Sequence, residues 1–172
     1  MKVSNIYKLL VIHCLIYIFT KGCYPERIWS VIRHGTRNPS KKVIAQIKIQ
    51  LKSLRDSILS SKNSNLCPKH LESLRKWNFT VLEEEEKYLV AEGEDELIEL
   101  AERMQNRFPK LMPEVYNPKQ YFFKYTATQR TLKSAQSFAT GLFGRHRISG
   151  IDYPEALHRD PILRVSKTDL LY

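Results

Sequence analysis

Cysteine is scarce, with three residues in 172. No histidine or aspartate clusters around any of them, so they do not make a metal site. Zinc-finger spacing, an RNP-like aromatic motif and an arginine-rich arm are also missing. The formal net charge of +10 therefore does not read as a nucleic-acid binder. No run of like charge is long enough to be a disordered tail. The longest apolar stretch, Leu9 to Phe19, is too short to span a bilayer. What the chain does have is length and apolar content for one ordinary domain with a core, at 172 residues and 42% hydrophobic.

The first residues read as a secretory signal. Lys2 and Lys8 form a basic start, Leu9 to Phe19 an apolar centre, and Thr20-Lys21-Gly22 supplies small residues at the cleavage positions. The expected division is a signal peptide over 1–22 and a domain over 23–172, leaving no membrane span after cleavage. Loss of Lys2, Lys8 and Lys21 lowers the formal charge from +10 to +7. That balance suits a polyanionic small substrate. Cys14 leaves with the signal. Cys23 and Cys67 could pair with each other in an oxidising compartment, or with partners outside this chain. Asn78-Phe79-Thr80 is a glycosylation sequon, usable in the secretory lumen.

The most informative stretch runs from Ile28 to Pro39. Trp29 to Ile32, broken only by Ser30, predicts a buried strand that ends in Arg33-His34-Gly35-Thr36-Arg37-Asn38-Pro39. Open α/β sheets place ligand sites at the carboxyl ends of their strands. Arg33 and Arg37 can fork onto the oxygens of one phosphate group. His34 can attack phosphorus through a neutral ring nitrogen, with Gly35 letting the backbone approach closely. These residues resemble the RHGxRxP signature of the histidine acid phosphatases, and Thr36 is similar to the multiple inositol polyphosphate phosphatase branch.

Further along, Ile44, Ile47, Leu51, Leu54 and Ile58 predict one buried helix face from Ser40, its N-cap, to about Lys62. Most lysines off that stripe form a solvated face, while Lys41 and Lys42 could also meet outlying phosphates of a large substrate. Residues 63–80 look like connection. The acidic run Glu83 to Glu86 reads as a solvated face rather than a cation site, because neighbours on a helix do not face one another. A second helix is expected over Gly93 to Phe108, on Leu97, Leu100, Ala101, Met104 and Phe108, closed by Pro109. The lead-in from Leu89 to Gly93 resembles the L-x-x-x-G segment of the phosphatase family.

Tyr121 to Thr126 predicts a short aromatic strand. It runs into a helix with Leu132, Ala135, Ala139 and Leu142 on one side, ended by Gly141 and Gly144. Arg130 falls in the first turn of that helix, where backbone N–H groups and the helix dipole favour an anion. In the resembled family the matching segment supplies a third phosphate-binding arginine. His158-Arg159-Asp160 invites a catalytic reading, but nothing places it near the motif, so His158 is read as a surface or loop residue; His70 and His146 have no partner pattern.

The resemblance implies a three-layer αβα sandwich of histidine-phosphatase type, of which this chain would hold the amino-terminal part. It implies a phosphomonoester hydrolase working through phosphohistidine. His34 would be the nucleophile and Arg33, Arg37 and Arg130 the phosphate forks, with no cofactor or metal. Substrates would be inositol hexakisphosphate and lower inositol phosphates, and also 2,3-bisphosphoglycerate, met in the endoplasmic reticulum lumen or outside the cell. The family's H-[AD]-E proton-donor motif does not occur in this sequence, so the chain reads as a truncated version whose own turnover is in question. Two other readings stand beside this one: a general secreted acid phosphatase, and a non-catalytic secreted protein that binds polyanions.

Overall fold

The computed structural model describes residues 25–61, 65–158 and 160–163. The expected signal peptide, Cys14 and Cys23 lie outside them. Among the described residues four helices follow in order: α1 (Lys41–Ser60), α2 (Pro68–Lys76), α3 (Ala91–Arg107) and α4 (Gln129–Phe143). Short 3₁₀ turns occupy Glu83–Glu85 and Arg145–Gly150.

The core forms where α3 meets α4. Leu97 and Ala101 of α3 pack with Phe138, Ala139, Leu142 and Phe143 of α4, and Met112 and Ile151 from the flanking loops close the cluster. Spacing of three and four residues puts each set on one helix face, which is the expected origin of these two helices. Gly141 was expected to end α4 but lies inside it. A Cβ there would sit 2.4 Å from the Ile98 carbonyl oxygen, so glycine is what lets the two helix backbones approach. The C-cap is Gly144, at a φ of 80° that suits glycine. Aromatic rings extend the core beneath α4. Tyr121 and Phe123 both meet Phe143 edge-on, with centroids 4.9 and 6.4 Å away.

α1 is held differently. Of its twenty residues only Ile44 is fully buried, and Leu54 of the expected stripe is 55% exposed. Part of the segment read as connection is helical: α2 begins with Pro68 in its first turn, where proline's missing N–H is harmless.

The two expected strands are not strands among the described residues, where the only ladder element is an isolated antiparallel bridge between Arg37 and Leu89. Trp29, Val31 and Ile32 are 56%, 41% and 38% exposed rather than buried. Tyr121 to Tyr125 does keep the period of two: Tyr121 and Phe123 turn inward while Phe122 is 77% exposed. A side-chain pattern does not by itself make a strand. The backbone N–H and C=O groups need a neighbouring chain to complete a ladder, and no described segment supplies one.

Candidate active site

The residues of the phosphatase-like motif form a turn held from three sides. From behind comes the segment before α3. Asn38 N–H donates to the Tyr88 carbonyl at 2.8 Å, Lys87 N–H to Pro39 at 3.0 Å, and Val90 N–H to Thr36 at 3.1 Å. From α4, the Ser134 hydroxyl accepts the Gly35 N–H at 3.1 Å, a buried bond. Gln129, also on α4, accepts the Leu89 N–H through its side-chain oxygen at 3.0 Å. From α3, the Glu96 carboxylate accepts the Thr36 N–H at 2.8 Å and the Thr36 hydroxyl at 2.6 Å.

Two glycines make this possible. A Cβ on Gly35 would lie 2.1 Å from the Gly93 carbonyl oxygen, and one on Gly93 would lie 2.2 Å from the Thr36 carbonyl oxygen. The first turn of α3 thus rests directly on the motif backbone. Only glycine at both places permits that approach.

His34 is half-buried at the centre. Its Nδ1 lies 2.8 Å from the Gly35 carbonyl oxygen. A carbonyl only accepts, so in the neutral ring Nδ1 carries the proton and Nε2 keeps the lone pair. Burial pushes the ring's pKa below its usual 6.5, opposed by the Gly35 hydrogen bond, and the charges of Arg130, Arg33 and Arg37 lower it further. The same three guanidiniums singled out in the sequence therefore act on one imidazole, although Arg130 is about a hundred residues from the other two. Arg130 occupies the second position of α4, after the Thr128 N-cap. The Thr131 hydroxyl lies 2.8 Å from that of Thr128 and 2.9 Å from the Thr128 carbonyl, fixing the turn that aims the helix. Arg33 is exposed, and Arg37 folds back through Nη1 onto the Asn38 carbonyl at 2.8 Å.

The remaining candidates sit farther out. The Lys41 ammonium lies 3.4 Å from Glu83, and its backbone N–H donates to Glu86 at 2.9 Å. The solvated acidic run thus also satisfies the first N–H of α1, while Ser40, the expected N-cap, makes no side-chain capping bond. Lys42, His70, His146, His158 and Asn78 are exposed, as is Cys67, a free thiol. Asp160 is fully buried and pairs with Lys124 at 2.7 Å, and its Oδ1 accepts the Ile162 and Leu163 N–H groups. Among the described residues no cluster of histidine, cysteine, aspartate or glutamate could hold a metal ion. Nor is any helix there long and apolar enough to cross a membrane.

Sequence reasoning missed Ser134, Gln129 and Glu96. Ser134 had a usable signal, since it lies four residues after Arg130 and so on the same face of α4. Glu96 had none, because a glutamate on an outer helix face is commonplace.

The family model for the histidine phosphatase superfamily (branch 2) matches residues 26–168. The chain belongs to that superfamily. It is also 35% identical over 133 residues to multiple inositol polyphosphate phosphatase 1 of Drosophila melanogaster, covering 72% of this chain and 28% of the relative. The chain thus spans a little over a quarter of the length of that relative. No solved structure matches it.

Proposed function

We propose that this chain carries the phosphate-accepting half of a phosphomonoesterase site that works through phosphohistidine. The observation that carries the reading is His34, with Nδ1 committed to a backbone carbonyl and three guanidiniums acting on its ring. In this reading the Nε2 lone pair attacks phosphorus, forming a P–N bond as the P–O ester bond breaks. The leaving alkoxide takes a proton from solvent water. Water then cleaves the P–N bond, releasing inorganic phosphate and restoring the neutral ring. Arg33, Arg37 and Arg130 spread the negative charge of the transferring group, where fixed positive charge is most effective. A depressed ring pKa keeps the lone pair available in mildly acidic solution.

The proposed substrates are inositol hexakisphosphate and lower inositol phosphates, with 2,3-bisphosphoglycerate as a further one. The 35% identity to an inositol polyphosphate phosphatase supports this choice, as does the net basic charge. Lys41 and Lys42, in the first turn of α1 just beyond the motif, would meet outlying phosphates. We place the protein in the secretory pathway, retained in the lumen or secreted, on the basic-apolar-small pattern of residues 1–22. The three-layer αβα sandwich belongs to the same proposal. Trp29–Ile32 and Tyr121–Thr126 would be its strands, supported by the alternating burial of the second.

The test is phosphate release from inositol hexakisphosphate with acid-stable-ester and phosphohistidine products separated by ³¹P NMR. The expected result is release that His34→Ala abolishes. Release unchanged in His34→Ala would remove the nucleophile assignment. A second reading, a polyanion-binding protein without turnover, is supported by the net basic charge. It predicts tight retention of inositol hexakisphosphate and no release.

A further inference from the structure

The peptide plane between Gly35 and Thr36 has a bound partner on each side. Its N–H, from Thr36, is held by Glu96 at 2.8 Å, and its C=O, from Gly35, is held by His34 Nδ1 at 2.8 Å. In a trans peptide these two groups point in opposite directions within one rigid plane. Among the described residues no peptide bond is cis. Whatever fixes the N–H therefore fixes the direction of the carbonyl, and the carbonyl fixes the tautomer and tilt of the imidazole. We propose that Glu96 is a positioning residue that orients His34 through the Gly35–Thr36 peptide plane. This rests on the reading of His34 as the phosphate acceptor.

The placement of Glu96 follows from α3. Gly93 lies against the Thr36 backbone, and a residue three positions on returns to the same helix face. Its second oxygen takes the Thr36 hydroxyl at 2.6 Å, so two bonds from one planar group stop the peptide from rotating. A charged acceptor makes these bonds stronger than a neutral one would. Hydrogen bonds in series also polarise one another, so the carboxylate strengthens the carbonyl's pull on the ring proton. Both oxygens are occupied by donors, and those donors hold the carboxyl below the usual carboxylate range. Glu96 is thus a poor source of the proton that the leaving alkoxide needs. Its carboxylate also occupies the Thr36 amide and hydroxyl as donors.

The test compares the full chain with Glu96→Ala, Glu96→Gln and Thr36→Val, using ¹⁵N NMR of the Thr36 amide and the His34 ring, and orthovanadate titration. In the wild type the Thr36 amide proton should lie downfield, and the neutral ring should be the Nδ1–H tautomer. Glu96→Ala should move the amide upfield, raise the share of the Nε2–H tautomer and weaken vanadate about tenfold. Glu96→Gln still offers an acceptor to the amide and should restore most of the tautomer. Thr36→Val keeps the amide bond alone and should fall between. An amide shift unchanged in Glu96→Ala overturns the proposal, and so does an unchanged ring tautomer when the amide has moved. If Glu96→Ala does not fold, the ring tautomer in Glu96→Gln and Thr36→Val decides in the same way. A wild type that does not bind vanadate defeats the phosphate reading, whereas the amide and ring signals still judge the positioning role.

Discussion

Gly35 to Pro39 and the four residues Trp29 to Ile32 are close neighbours in sequence, yet they are held in opposite ways. The turn is fixed by backbone bonds to residues 87–90, by Ser134 of α4 and by Glu96 of α3. The preceding run has Trp29, Val31 and Ile32 substantially exposed, and no ladder joins it to another described segment. In this structure the motif takes its shape from the helical side rather than from the strand that was expected to deliver it. The arginines and the histidine can therefore be assembled while the sheet-like run lies open. Disturbing α3 or α4 should harm the site more than disturbing the run.

The largest expected effect comes from attacking the frame itself. Phe143 is 2% exposed and meets Tyr116, Tyr121 and Phe123 edge-on. Phe143→Ala should cost about 3–5 kcal/mol in urea unfolding, from lost burial and the cavity left behind. Ile49 on α1 is 72% exposed, and Ile49→Ala should stay within about 0.5 kcal/mol. Similar losses at the two positions would mean that the α3–α4 packing is not what stabilises the fold.

Next comes the contact between turn and helix. Gly35→Ala drives a methyl carbon into the Gly93 backbone at 2.1 Å. Neither partner is a side chain that can swing away, so the cost should reach the upper part of the about 1–3 kcal/mol typical of overpacking. Trp29→Ser, on the open run, should cost under about 1 kcal/mol. If Trp29→Ser proves the more damaging of the two, the run is covered in solution, and the contrast drawn above collapses.

These two contrasts mark how far the sequence could be read. The apolar spacing of Leu97, Ala101, Ala139 and Leu142 located α3 and α4 because burial on one helix face leaves a period that any reader can count. The motif residues were singled out as candidates because the chemistry demands particular side chains close together in sequence. Arg130 was singled out because it opens a helix. Glu96 and Ser134 were not, since their role depends on which helix packs against the turn, a long-range fact that local pattern does not carry. The lack of strand ladders among the described residues has a related reason. Trp29 to Ile32 has strand composition, but a strand is completed by its neighbour's hydrogen bonds, and composition cannot show that a neighbour is present. The carboxylates of Glu83 and Glu86 stay solvated as read, but their contacts with Lys41 were not legible because that residue lies over forty positions away.

The smallest expected effect tests whether the two arginine-bearing turns share one site. His34 titrates below 6.5 in the folded chain, first from burial and then from Arg130, Arg33 and Arg37. The unfolded chain takes up its proton at the ordinary value and the folded chain only at lower pH, so between those two values the unfolded state binds more protons. Stability from this residue is therefore unaffected above 6.5, falls as pH drops through that window, and levels off once the folded ring is also protonated. Arg130→Ala removes one positive neighbour and should raise the ring midpoint, read from the His34 carbon-bound protons by NMR. The rise should stop short of 6.5, because burial, the larger cause, is untouched. The window of pH-dependent stability should narrow to match. A midpoint that does not move in Arg130→Ala would place that guanidinium too far from His34 to share a phosphate with it, and the site would then rest on the motif turn alone.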